Sequence, residues 1–196
     1  MKRRELLACC ALPATVVGCL DNGSDGELSG AVRPDSDPKM VPSGLSCADK
    51  DFERIEYQVD DDELVYGDTE HFALRIDTLT PQYGEEVAID LVNVSSSEQT
   101  TGTHSLWRLQ LYTEDGWQEV RGTTEDRGLD HAVEDLRHSP GGGISWNIQL
   151  TEDGVMEAGP VSERIEICPD LQAGRLRFVY TGTGTDDIAV QFDFEQ

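Results

Sequence analysis

The sequence predicts an all-β fold, two packed antiparallel sheets of about seven to eight strands in total. Three observations carry that prediction. From about residue 50 onward apolar residues recur with period two, the mark of half-buried strands. Asp-Gly pairs, at Asp115-Gly116 and Asp153-Gly154, stand between short apolar-rich runs as hairpin signals. No long segment of helical periodicity interrupts them.

Taken in order, the expected strands are "IEYQV" at 55–59, "FALRI" at 72–76, "EVAIDLVNV" at 86–94, "LWRLQLY" at 106–112, "WQEV" at 117–120, "ISWNIQL" at 144–150, "RLRFVY" at 175–180 and "IAVQFDF" at 188–194. The clearest is "ISWNIQL", with Ile144, Trp146, Ile148 and Leu150 on one face and Ser145, Asn147 and Gln149 on the other. Both "TEDGW" at 113–117 and "TEDGV" at 151–155 read as hairpin turns, and "TGTGTDD" at 181–187 as the turn of a last hairpin. The best helix candidate is "GLDHAVEDLRH" at 128–138, a short amphipathic stretch inside a long loop. Trp107 and Trp146 belong where the two sheets face each other.

Before this domain come two segments of different composition. Lys2, Arg3 and Arg4 precede a short apolar core, "LLACCALPATVV", too short to span a bilayer. "KRRELL" resembles a twin-arginine export signal, and "VVGC" at 16–19 resembles a lipobox. The resemblance implies that residues 1–18 are a cleaved signal peptide and that Cys19 becomes a diacylglyceryl-modified N-terminus, a membrane attachment through lipid on the extracytoplasmic face. Residues 19–49 are rich in Gly, Ser, Pro and Asp and read as a flexible acidic tether, leaving 50–196 as the folded domain.

With Cys9 and Cys10 in the signal and Cys19 lipidated, Cys47 and Cys168 remain, and in an exported chain such a pair reads as one disulfide. Asn22 in "NGS" and Asn93 in "NVS" fit the acceptor pattern for N-glycosylation.

Charge narrows the partners. The formal net charge is -24, with 39 acidic against 15 basic residues. Nucleic acid and anionic lipid surfaces repel such a chain. Carboxylates spread over the whole length, with only three lysines (Lys2, Lys39, Lys50), point to a high-salt habitat, where screening relieves their mutual repulsion. Runs such as "DDDE" at 60–63 lack the twelve-residue calcium-loop pattern and read as solvated surface.

Catalytic and metal patterns are missing from the sequence. His71, His104, His131 and His138 sit in no zinc spacing, and no G-x-S-x-G elbow occurs. His131 and His138 are expected to be solvent-exposed, and Ser139 beside His138 is explained by a loop entering a strand. A blue-copper loop at "CPDLQAGRL" would need a histidine and usually an axial methionine after the cysteine, where the chain has Leu171 and Leu176. No cofactor and no metal are expected.

Over residues 70–194 the runs "YGEEVAIDLVNVSSSEQTT", "LWRLQLYTEDGWQEV", "GISWNIQL" and "CPDLQAGRLRFVY" resemble a bacterial-type immunoglobulin-like domain of surface lipoproteins. Here Ala173 precedes Gly174, and Leu176 stands where that family usually has an aromatic. Together with the acidic composition and the lipobox, the whole resembles a haloarchaeal-type secreted lipoprotein. The resemblance implies an immunoglobulin-like β-sandwich and a non-catalytic extracytoplasmic module that meets an envelope or extracellular protein or glycan through edge strands and the 123–140 loop. The alternative is a proteinase inhibitor on a similar sandwich, which would need a rigid reactive loop.

Overall fold

The computed structural model describes residues 28–55, 59, 61–125, 134–159, 162–184 and 186–196. Arg3, Arg4, Cys19, Asn22 and His131 lie outside the described residues, as does the centre of the 123–140 loop.

The fold is an all-β sandwich. One sheet has three strands in the order β10–β4–β3: β3 (Phe72–Ile76), β4 (Glu86–Asn93) and β10 (Gly143–Gln149). The other has five, in the order β2–β13–β12–β6–β7: β2 (Val65–Tyr66), β6 (Trp107–Thr113), β7 (Gly116–Glu119), β12 (Gly174–Tyr180) and β13 (Ile188–Phe194). All pairings in these sheets are antiparallel except the short β13–β2 contact. A small sheet of β1 (Glu53–Arg54), β8 (Arg121–Thr123) and β11 (Glu166–Ile167) flanks the sandwich. A two-stranded ribbon pairs β5 (Gln99–Thr101) with β9 (Leu136–His138).

Period-two alternation fills the space between the sheets. Leu74, Ile89, Leu91 and Ile148 face Leu109, Leu176, Val190 and Phe192 in one buried cluster. Its centre is aromatic: Trp146 lies 5.0 Å from Phe178 and 5.1 Å from Tyr180, and Trp107 stacks on Phe178 at 5.5 Å. Both tryptophans are buried, and the Trp146 Nε1 donates to the His104 carbonyl, so its polar atom is not stranded.

The disulfide Cys47–Cys168 is formed, with Cα atoms 5.3 Å apart and 121 residues between them. Closing so long a loop stabilises by up to about 5 kcal/mol in the chain-entropy account. It ties the segment before β1 to the segment entering β12.

Several expectations are corrected. "TEDGV" is not a hairpin: Thr151 caps α1 (Glu152–Glu157), its Oγ1 accepting from the Gly154 N–H. The C-terminal end of the expected 128–138 helix is strand β9, because Leu136–His138 find a partner strand in β5. The first strand precedes "IEYQV", at Glu53–Arg54, although the Ile55 N–H still donates to the Arg121 carbonyl; residues 56–58 lie outside the described set.

Residues 28–49 depart furthest from a free tether. Ala31 pairs antiparallel with Ile76 at the edge of β3, with N–H to O distances of 2.7 and 2.9 Å. The Val32 carbonyl accepts from Gln191 of β13, and the Pro42 carbonyl from Glu114. Arginines hold the rest. Arg175 Nη2 donates to the Ser36 carbonyl at 2.8 Å, and Arg54 Nη2 donates to the Leu45 and Cys168 carbonyls at 2.6 and 2.8 Å. Composition predicts disorder when a segment has nothing apolar to bury; here backbone groups and buried guanidinium groups supply the docking instead.

Candidate functional site

A cleft of about 630 Å³ opens at the end of the sandwich where β12 begins and β13 ends. Lys39, Met40 and Pro42 of the docked N-terminal segment form one wall, and Gln172, Ala173 and Gly174 another. Asp193, Phe194, Glu195 and Gln196 close the floor. The volume lies within the range of small-ligand sites, about 300–1,000 Å³.

Local sequence explains the walls. Pro34, Pro38 and Pro42 keep the segment extended and out of any helix. It can lie close to β12 because position 174 is glycine: at φ +150° a Cβ there would meet Leu111 Cδ1 at 3.1 Å and the Met40 carbonyl at 3.4 Å. Arg175 anchors the same place, its Nε donating to Asp193 Oδ1 at 2.5 Å while Nη2 holds Ser36. Lys39 Nζ meets Glu195 at 3.2 Å along the rim.

The apolar surface near this cleft is unusual. Among the described residues the exposed large apolar side chains are Met40 (56%), Val41 (38%), Tyr83 (48%) and Val94 (48%). Met40 lines the cleft, Val41 is its neighbour in the chain, and Tyr83 packs 6.4 Å from Phe194, a floor residue. Tyr83 is fixed at both ends. Its N–H donates to the Glu195 carbonyl and its hydroxyl to Glu152 Oε2 at 2.7 Å. That bond to a carboxylate, with burial a smaller contribution, pushes the phenol above its ordinary range. Burial works against the Glu152 charge, but the Tyr83 hydroxyl and the Leu171 N–H outweigh it and hold the carboxyl below its usual value.

The site residues expected from sequence are dispersed. Cys47 and Cys168 are joined and so carry no reactive thiol. Asn93 is 1% exposed, with Nδ2 donating to the Ser97 and His138 carbonyls and Oδ1 accepting from the N–H and hydroxyl of Ser95. Both amide hydrogens clamp the turn after β4, so a glycan there would have to be attached before folding.

His138 is buried rather than exposed. Its Nε2 lies 2.8 Å from Thr101 Oγ1, and its ring meets Phe72 edge-on at 6.1 Å. Burial holds its pKa below the ordinary histidine value. The ring is turned to Thr101 in the ribbon, which gives Ser139 no general base from it. Among the described residues no group of three or more His, Cys, Asp or Glu side chains could hold a metal ion.

Sequence patterns do not announce the cleft. The one signal for it is "MVP" at 40–42, an apolar triplet in an otherwise polar segment.

No protein-family model matches the chain, and no curated protein matches it. Among solved structures it is similar to a β-glucosidase from Listeria innocua. In complex with isofagomine that enzyme gives 15% identity and a TM-score of 0.32, over 64% of this chain and 16% of the enzyme. In complex with glucose it gives 12% and 0.33 over the same shares. The chain thus spans less than a fifth of these proteins' length.

Proposed function

We propose that the chain is a non-catalytic, lipid-anchored immunoglobulin-like binding module on the outside of a halophile cell, and that the cleft under Met40 is where it receives a partner. The observation that carries this reading is the exposed Met40 and Val41 pair, held open to solvent on a segment pinned by Arg54 and Arg175. An apolar pair of this kind has a cost in water and is not hidden by mobility. Exposed apolar surface beside a formed cleft marks an interaction site.

The Cys47–Cys168 bridge supports an oxidising, extracytoplasmic compartment. Anchoring rests on Cys19 and the signal pattern before it. Among the described residues no helix is long and apolar enough to cross a membrane.

The test places a photo-crosslinking side chain at Met40 in intact cells, with the same group at Val94, at the C-terminal end of β4, as the comparison. A discrete adduct formed from position 40, not from 94, and lost when Ala173→Trp fills the cleft supports the reading. Equal labelling from both positions sinks it. Anchoring is tested separately: Cys19→Ser should leave the protein unprocessed or in the medium, and a variant still cleaved and lipidated in the membrane fraction would refute the anchor.

A further inference from the structure

The sandwich protects its strand edges unevenly. The far edge of β13 is covered from end to end: Gln191, Asp193 and Glu195 donate their N–H groups to the carbonyls of Val32, Leu79 and Pro81, and β2 pairs with its beginning. The far edge of β3 is met by Ala31 and Gly67. Strand β10, seven residues long, pairs with β4 on one side, and among the described residues no strand pairs with its other side.

Two hydrogen bonds fix which backbone groups that open side presents. Asn93 N–H donates to the Gly142 carbonyl and Leu150 N–H to the Glu85 carbonyl, at the two ends of a ladder that runs from Gly143↔Val92 to Gln149↔Glu86. In an antiparallel ladder hydrogen-bonded pairs alternate. Ile144, Trp146 and Ile148 therefore turn their N–H and C=O toward β4, whereas Gly143, Ser145, Asn147 and Gln149 turn theirs outward.

Exposed edges are ordinarily guarded by charge, proline or a bulge. This one lacks charge altogether. From Ser139 to Leu150 there is no Asp, Glu, Lys or Arg, in a chain whose residues are 28% charged and whose net charge is -24.

We infer that β10 is a self-association edge: the outward backbone groups of Gly143, Ser145, Asn147 and Gln149 pair antiparallel with the same residues of a second copy, joining two three-stranded sheets into one of six. The occupant is set by charge and symmetry. Two copies of so acidic a chain repel over most of their surface, and this edge is where they meet without opposing carboxylates. An antiparallel edge is self-complementary about a two-fold axis. Centred on Trp146, the register sets Gly143 against Gln149 and Ser145 against Asn147 in both directions, so all four outward residues are used. The period-two pattern also matches itself, apolar Ile144, Trp146 and Ile148 on the core side and uncharged polar groups on the other.

The contact is a narrow one, so association is weak in solution and strengthens as salt screens the remaining charge. The test is sedimentation velocity of the full-length chain over a concentration series, in dilute buffer and in molar KCl. The expected result is a monomer–dimer equilibrium that shifts toward dimer with salt. Asn147→Pro removes an outward N–H from each copy and leaves the β4 ladder intact, raising the dimer dissociation constant about tenfold or more. Asn147→Asp preserves size and strand geometry and serves if the proline variant unfolds. It should weaken the dimer most in dilute buffer, whereas Ser36→Asp, the same added charge on the N-terminal segment against the other sheet, should leave it nearly unchanged. A wild-type chain that stays monomeric at every concentration and salt overturns the inference. So does an Asn147→Asp variant that associates like Ser36→Asp.

Discussion

The tetrapeptide Thr-Glu-Asp-Gly occurs at 113–116 and again at 151–154, and the two copies fold differently. In the first, Thr113 ends β6 and Gly116 opens β7 with φ +93°. The Thr113 hydroxyl donates to the Gly116 carbonyl at 2.8 Å and accepts from the Asp115 N–H at 3.2 Å. In the second, Thr151 sits in an extended conformation as the cap of α1, and its hydroxyl oxygen accepts from Gly154 N–H at 3.0 Å. Glu152 and Asp153 then occupy the first helical turn, where the helix dipole favours negative charge.

The residues C-terminal to each copy decide between them. After Gly116 comes "WQEV", whose Trp117 pairs across to Tyr112 and takes the Arg177 guanidinium over its ring at 4.4 Å. After Gly154 comes "VMEA", whose Val155 turns into the core and is fully buried. Glu152 adds long-range bonds to Tyr83 and Leu171. The same four residues thus supply a hairpin turn where a partner strand exists and a helix start where an apolar side chain must reach inward.

This contrast can be broken from its strongest contact downward. Val155→Asp puts a carboxylate into the core and should cost about 3 kcal/mol or more, read from urea denaturation in molar salt; a loss below about 1 kcal/mol would mean that Val155 does not fix the helix. The glycines should fail for different reasons. Ala at 154 is favoured by helix propensity, yet its Cβ would stand 2.4 Å from the Gln149 carbonyl, so Gly154→Ala is expected to destabilise by about 2 kcal/mol. Ala at 116 has open space around it and suffers only from its positive φ, about 1 kcal/mol. A stabilised Gly154→Ala would contradict the close approach of α1 to Gln149.

Thr151→Ala removes a helix cap and should cost about 1 kcal/mol, against roughly half of that for Thr113→Ala in the hairpin. The smallest effect is in pH. Glu152 is held below its ordinary value of 4.5 in the folded chain, so the unfolded chain binds its proton first. Its contribution is present above that value and is lost as pH falls through the lower folded pKa. Glu152→Gln should flatten the stability profile below pH 4.5, compared by thermal melts with the parent chain.

Much of the sandwich is legible in the sequence because alternation is a local property. "FALRI" is β3 residue for residue, and "ISWNIQL", "RLRFVY" and "IAVQFDF" match β10, β12 and β13 to within one residue at either end. The cleft is illegible for a different reason. Its walls come from residues 39–42, 172–174 and 193–196, and nothing in any one of these stretches announces the other two. His138 misleads likewise: acidic neighbours imply solvent, but its own strand pairs with β5 and carries the ring under cover.

By itself the sequence determined the strand faces, the aromatic core and the charge, because side-chain alternation and ionisation depend on residues one or two positions away. It also singled out the two cysteines that pair. Only the tertiary structure decided which Thr-Glu-Asp-Gly is a turn, whether residues 28–49 are bound or free, and where apolar surface stays exposed. Each of those depends on a partner distant in the chain: Val155 meeting the core, Arg175 reaching Ser36 across 139 residues, Met40 standing over Gly174.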